Sequence, residues 1–233
     1  RDGAKRDYDR IIGDYSGRPE ASLAAIRLLD ITGDETGLDM TPKLKEFADS
    51  SDNPTVIYEA NMLLAGKLIR SGDLGGARTA VDRARRVARP GAEAFSAAHR
   101  AALIRFYGCE FPLMAAEIDA AVNANPGGEG ANDLLMLRFL HLKAMAAGKT
   151  DDYTLYAHGR FALFRGMEKE GLDSLMLAAS DTLSPVAAEA ARAIGSHLRA
   201  KGNRTGALEW FSRAAVAARD TTVRVAAMMD AAD

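Results

Sequence analysis

Cysteine is nearly absent: Cys109 is the only one in 233 residues. An intramolecular disulfide is therefore excluded, and so is a zinc site built on paired thiolates. Aromatic residues are scarce at 6% and runs of β-branched residues are few, so nothing argues for strands. No apolar run approaches the roughly 18 residues needed to span a bilayer. Neither sign of charge dominates. Thirty Lys and Arg against 32 Asp and Glu leave a net charge of −2, without the basic excess of a broad nucleic-acid footprint. The chain opens on Arg1 rather than Met, which leaves its natural start, and the choice between cytoplasm and periplasm, open.

What is abundant is alanine, the best helix former. With 48% hydrophobic and 27% charged residues, the chain has the composition of a globular protein rather than a disordered one. The punctuation is helical. "SDNPTV" offers Asn53 as N-cap with Pro54 at the first helical position, and "TLSPVAAEAA" offers Ser184 and Pro185 in the same roles. "SGRPEASLAAIRLL" starts likewise at Ser16 or Gly17. Gly72, Gly108, Gly148 and Gly202 stand where helices should end. Apolar residues recur at helical spacing between these marks, as in Leu64, Leu68 and Ile69.

The pattern predicts helices over 3–15, 19–31, 42–50, 54–71, 73–88, 92–107, 112–124, 131–147, 151–165, 168–180, 185–201, 203–219 and 221–231. One loop stands out. "NANPGGEGAND", 123–133, has Gly127, Gly128 and Gly130, which disfavour helix. It divides the expected array into 52–128 and 129–233, after a less regular N-terminal segment, 1–51.

Two stretches align. "LAGKLIRSGDLGGARTAVDRAR" and "IGSHLRAKGNRTGALEWFSRAA" match Leu64 with Ile194, Ala65 with Gly195 and Leu68 with Leu198. They go on to match Gly72 with Gly202, Ala77 with Ala207, Val81 with Phe211 and Ala84 with Ala214. Each reads as helix, Gly turn, helix. Small residues on both helices let an antiparallel pair close up, so Ala65 should face Ala77 and Gly195 should face Ala207. Val81 and Phe211 should fill the space between repeats.

This pattern resembles the tetratricopeptide repeat (TPR), a 34-residue helix–turn–helix. The resemblance is good over 58–91 and 188–221. Over 95–128 it has Ala102, Ile118, Ala121 and Pro126, but Met114 where the family has Ala. A fourth window, 152–185, carries Gly159, Gly171, Leu175 and Ala178. Its Gly171 would lie inside a helix at a cost in stability, and an alternative register pairs 131–147 with 151–165 around Gly148.

The resemblance implies an all-α, TPR-like α-solenoid of antiparallel helix pairs in a right-handed superhelix. It implies a non-catalytic scaffold that binds a peptide or protein segment in a concave groove. The family's register places Glu59, Met62, Ile69, Arg70, His99, Leu103, Phe106, Tyr107, Arg192 and Arg199 on that groove. Met62 and Gly66 stand where the family's carboxylate clamp carries Lys and Asn, which argues against chaperone C-terminal peptides. An apolar strip of Met62, Ile69, Leu103 and Phe106 is expected instead. The rival readings are an assembly subunit of a bacterial envelope complex and a regulatory segment of a larger enzyme.

Motifs for chemistry are incomplete. "AAGKTDD" lacks the first Gly of a phosphate loop, since position 143 is Lys, and it follows a helix rather than a strand. Gly148 reads as a helix end, Lys149 as solvated and Thr150 as the next cap. His99, His141, His158 and His197 show no metal-binding spacing. Cys109 reads as a packing residue. Arg83, Arg85, Arg86 and Arg89 suit a helix C-terminus. The methionines of 131–147 and 167–180 read as core. No cofactor, nucleic acid or membrane span is expected.

Overall fold

A computed structural model describes residues 2–218 and 221–232. Among these the chain is 81% helical, with no strand. It divides into two compact units, Arg1–Ile104 with Ala116–Ala131, and Arg105–Ala115 with Asn132–Asp233.

The first unit contains α1 (Asp2–Asp14), α2 (Pro19–Thr36), α3 (Thr41–Ser50), α4 (Pro54–Ser71) and α5 (Leu74–Val87). Helix α6 (Ala92–Tyr107) begins in it, and α7 (Phe111–Ala124) ends in it. Helix α4 packs chiefly against α5, and also against α3 and α2. The second unit contains α8 (Ala131–Ala146) from its second residue, α9 (Thr150–Phe164), α10 (Glu168–Ser180), α11 (Ala187–Ala200), α12 (Arg204–Ala217) and α13 (Thr221–Ala232). Its hairpins α9–α10 and α11–α12 are the tightest pairings. Helix α11 then packs on α10 and α9, and α13 on α12 and α11. Within each unit, a helix therefore meets both members of the pair before it.

One turn recurs. Gly72, Gly166 and Gly202 adopt φ of 96°, 80° and 81°, and Gly148 adopts 64°. In each, the left-handed residue and its successor donate to carbonyls three and five positions back. Gly72 N–H reaches Ile69 O at 3.1 Å and Asp73 N–H reaches Leu68 O at 2.9 Å; Gly202 and Asn203 repeat this on Arg199 and Leu198 at 2.9 Å each. This double bond caps the last carbonyls of the first helix, and glycine bears the positive φ without a Cβ clash. After α6 the same place falls to Cys109, at φ 56°, whose N–H donates to Phe106 O at 3.0 Å while Glu110 N–H donates to Arg105 O at 2.9 Å. Gly108, expected to end this helix, is one residue short of the position.

The following helix is capped from the same turn. Asp73 accepts from Gly76 N–H at 2.8 Å and Asn203 from Gly206 N–H at 3.0 Å. Asn53 caps α4 as expected, accepting from Thr55 and Val56. Two other expected caps are not formed. Helix α11 begins at Ala187 after a turn in which Ala187 N–H donates to Ser184 O, so Ser184 and Pro185 precede the helix rather than open it. Thr150 is the first residue of α9, and Lys149 precedes it without a side-chain cap.

Glycines also set the approach of paired helices. Gly171 lies inside α10, buried, where a Cβ would stand 2.6 Å from Leu163 Cδ2 and 2.9 Å from the Leu163 backbone nitrogen. On the facing helix, a Cβ at Gly159 would stand 2.6 Å from Leu175 and 3.0 Å from the Gly171 carbonyl. The 152–185 window is thus a packed pair, and its interior glycine is required by the contact. Gly195 makes room for the ring of Phe211, 2.6 Å from where its Cβ would be. Phe211 therefore packs against Gly195 inside its own pair. Ala65 and Ala77 are both fully buried on α4 and α5.

Candidate functional site

The residues expected to line a groove have mostly other occupations. Met62 and Ile69 are buried on α4, Ile69 at 3% exposure. Arg100 donates to the Met62 carbonyl at 3.1 Å. Glu59 pairs with Arg27 of α2 at 2.6 Å, and Arg70 lies 3.7 Å from Asp34 of the same helix. His99 and Leu103 are half-buried, with the His99 ring stacked on Phe95. In the second unit Phe106 is 1% exposed and Tyr107 is buried. Arg192 joins Glu189 and Asp230, at 3.0 and 2.9 Å, and Arg199 lies over the Phe211 ring, 3.8 Å from Asp230. The solvent-facing strip of Met62, Ile69, Leu103 and Phe106 is corrected on this point. Three of the four are buried, and the charged positions among these residues tie α4 to α2 and α11 to α13.

The reason for Phe106 is an aromatic core. Its ring meets those of Tyr107, Tyr153 and Tyr156 at 5.6–5.8 Å between centroids. Tyr153 is fully buried, packs edge-on against Phe111 at 4.7 Å, and donates to the Leu137 carbonyl at 2.8 Å. His141 lies between Phe111 and Tyr153, 5% exposed, with no partner for Nδ1. Burial, and then the Arg138 charge, hold it below the usual histidine range. Burial raises the phenols of Tyr153 and Tyr156 and the thiol of Cys109, so none is a ready nucleophile.

Other sequence candidates are accounted for by pairing. Lys149 binds Asp181 at 2.7 Å. In the arginine run, Arg83 binds Asp49, Arg85 binds Glu117, and Arg89 binds Glu93. Among the described residues, no group of His, Cys, Asp and Glu could hold a metal ion, and no helix is long and apolar enough to cross a membrane.

One helix stands apart. Helix α8 carries apolar residues on two faces. Leu134, Leu137, Leu140 and Ala144 are buried, while Leu135, Phe139, Leu142 and Met145 are 44%, 37%, 51% and 56% exposed. The exposed set recurs every three or four residues, so it forms one stripe. Leu183, Met176, Leu177 and Val216 are exposed in the same unit. One face of α8 lies inside the fold and the other lies outside it.

Family models, curated proteins and solved structures were compared with this chain, and none matches.

The α8 stripe continues into a concavity of about 410 Å³ lined by Phe139, Leu140, Lys143, Leu183, Pro185 and Ala188. A second, of about 650 Å³, is lined by Met176, Ala179, Trp210, Arg213 and Val216. Both share Ala217. Largely apolar walls of this kind suit the burial of another apolar surface. The sequence offered one signal for this surface. The segment 131–147 has more leucine and methionine than one buried face can use.

Proposed function

We propose that this chain is a non-catalytic protein-interaction scaffold with a TPR-like α-solenoid architecture, engaging a protein segment through an apolar surface. Support for the architecture comes from the recurring left-handed turn and from the way each unit packs a helix on both members of the pair before it. Support for binding comes from one observation above all: α8 carries a second apolar face, and nothing in the described chain covers it. A stripe of this kind in water is unfavourable, and such patches commonly mark interaction sites. The surface lies on α8 and its neighbours rather than on the register positions at 62, 69, 103 and 106, which stabilise the fold.

A second reading, a subunit of a permanent assembly, draws on the further exposure of Leu183, Met176, Leu177 and Val216 in the same unit. Affinity capture from native lysate tests binding. Wild type and a Leu135→Glu, Leu142→Glu double variant, matched in melting temperature, are compared. Partners retained by wild type and lost in the variant are expected; identical capture would remove α8 from the reading. A partner that stays bound through purification favours the assembly subunit, and one that exchanges favours the scaffold.

A further inference from the structure

We infer that two concavities of the second unit, one beside α8 and one lined by α10, α11 and α12, take an amphipathic helix of a partner protein whose apolar face is flanked by carboxylates, an inference that rests on the scaffold reading. The first argument is shape. Alanines line both hollows, with Ala188 in the first, Ala187 and Ala191 in the second, and Ala217 in both. Small side chains let a second backbone come close. Larger apolar residues line them too, with Phe139 and Leu183 on the first hollow and Met176 and Trp210 on the second. Side chains spaced three or four apart on a docked helix can enter successive hollows, the usual way a helix seats in a groove.

The second argument is charge. Lys143 at the first hollow lies over the Phe139 ring at 5.2 Å, and Arg213 at the second lies over Trp210 at 4.6 Å. Among the described residues neither has a carboxylate within 4.0 Å. Several other cations of this unit are paired: Lys149 with Asp181, Arg192 with Glu189 and Asp230, Lys201 with Glu168. Glu209, one turn from Arg213 on α12, does not pair with it. Each hollow thus has an apolar interior and a positive rim, complementary to an apolar helix face edged with Asp or Glu. A cationic helix would meet like charge at both rims.

The test uses the whole chain and a fluorescein-labelled synthetic helix of about 20 residues, ~30 Å long. It carries Leu on one face and Glu on the flanks, and a twin carries Lys in place of Glu. Trp210 is the only tryptophan, so its emission reports on the second hollow directly. The Glu peptide is expected to bind saturably with a blue shift of Trp210, at least tenfold tighter than its twin, and to weaken with added salt. A Lys143→Glu, Arg213→Glu double variant, changed only at exposed positions, is expected to reverse the preference. Equal binding of both peptides, preference for the Lys twin, or no change at Trp210 overturns the inference. So does a dimer by light scattering that is lost in Leu142→Glu, because a second copy would then be the occupant. If lysate capture depends on Leu142 while the peptides show no charge preference, the scaffold reading stands and this inference alone fails.

Discussion

Replacing Gly171 by alanine sets two effects of opposite sign against each other. In an exposed helix the change is favourable, because glycine is about 1 kcal/mol worse than alanine in a helix interior. In α10 the new methyl would stand 2.6 Å from Leu163 Cδ2, 2.7 Å from its Cγ and 2.9 Å from its backbone nitrogen. A side-chain tip can rotate aside, but a backbone nitrogen moves only with its helix. Overpacking of this kind costs about 1–3 kcal/mol. Separation of α9 from α10 would also loosen Gly159 against Leu175. The net expectation is a loss of up to about 2 kcal/mol. At roughly 2–4 °C per kcal/mol for a chain of this size, that lowers Tm by up to about 8 °C. Gly13, inside α1 with nothing within 4 Å of its Cβ position, is the control, and Gly13→Ala should leave stability level or raise it by up to about 1 kcal/mol. Thermal and urea melts followed by circular dichroism read both. If Gly171→Ala raises the midpoint as Gly13→Ala does, α9 and α10 do not meet at these glycines and the pairing argued for 152–185 is wrong.

Other perturbations follow from the same packing. Phe106→Ala should cost about 3–5 kcal/mol, measured by urea denaturation, because its ring is enclosed by three tyrosines. His141 is held below its ordinary value, so the fold favours its neutral form. Its contribution is whole above about pH 6.5 and is lost as pH falls below that toward the folded value; melts from pH 8 to 5 should show the loss, and His141→Phe should flatten that part of the profile. Asn203→Ala removes the acceptor for Gly206 N–H and should cost about 1 kcal/mol. Cys109→Gly should stabilise by up to about 1 kcal/mol, since glycine holds φ near 56° without strain; a lower Tm would contradict the turn geometry.

The helix pattern was legible because the chain marks its own boundaries. Asn53 and Pro54 open α4 and Gly72 closes it where local chemistry requires. The marks failed in several places for physical reasons. Cys109 takes a left-handed position that the residue-type rule assigns to glycine, and a three-residue turn after Ser184 delays α11 to Ala187. Helix α2 continues to Thr36, past the expected end at 31, until Gly37 supplies a left-handed cap. The site was less legible. Segment 92–107 is apolar on several faces, so its periodicity could not tell whether Phe106 points in or out. In 131–147 every leucine reads as core, and only the fold separates Leu137, which is buried, from Leu135 and Leu142, which are not.

The short stretch Arg105–Ala115 belongs with residues from Asn132 onward, and this bears on synthesis. Phe106, Phe111 and Met114 leave the ribosome well before the side chains that enclose them. Met114 must wait for Tyr153, 39 residues later, which at 5–20 residues per second is roughly 2–8 s. Helices α1 to α5 can settle in that interval, while a nascent hairpin bearing two phenylalanines stays uncovered. Slow codons between 115 and 153 would prolong that exposure, and a holdase chaperone would find its binding stretch there.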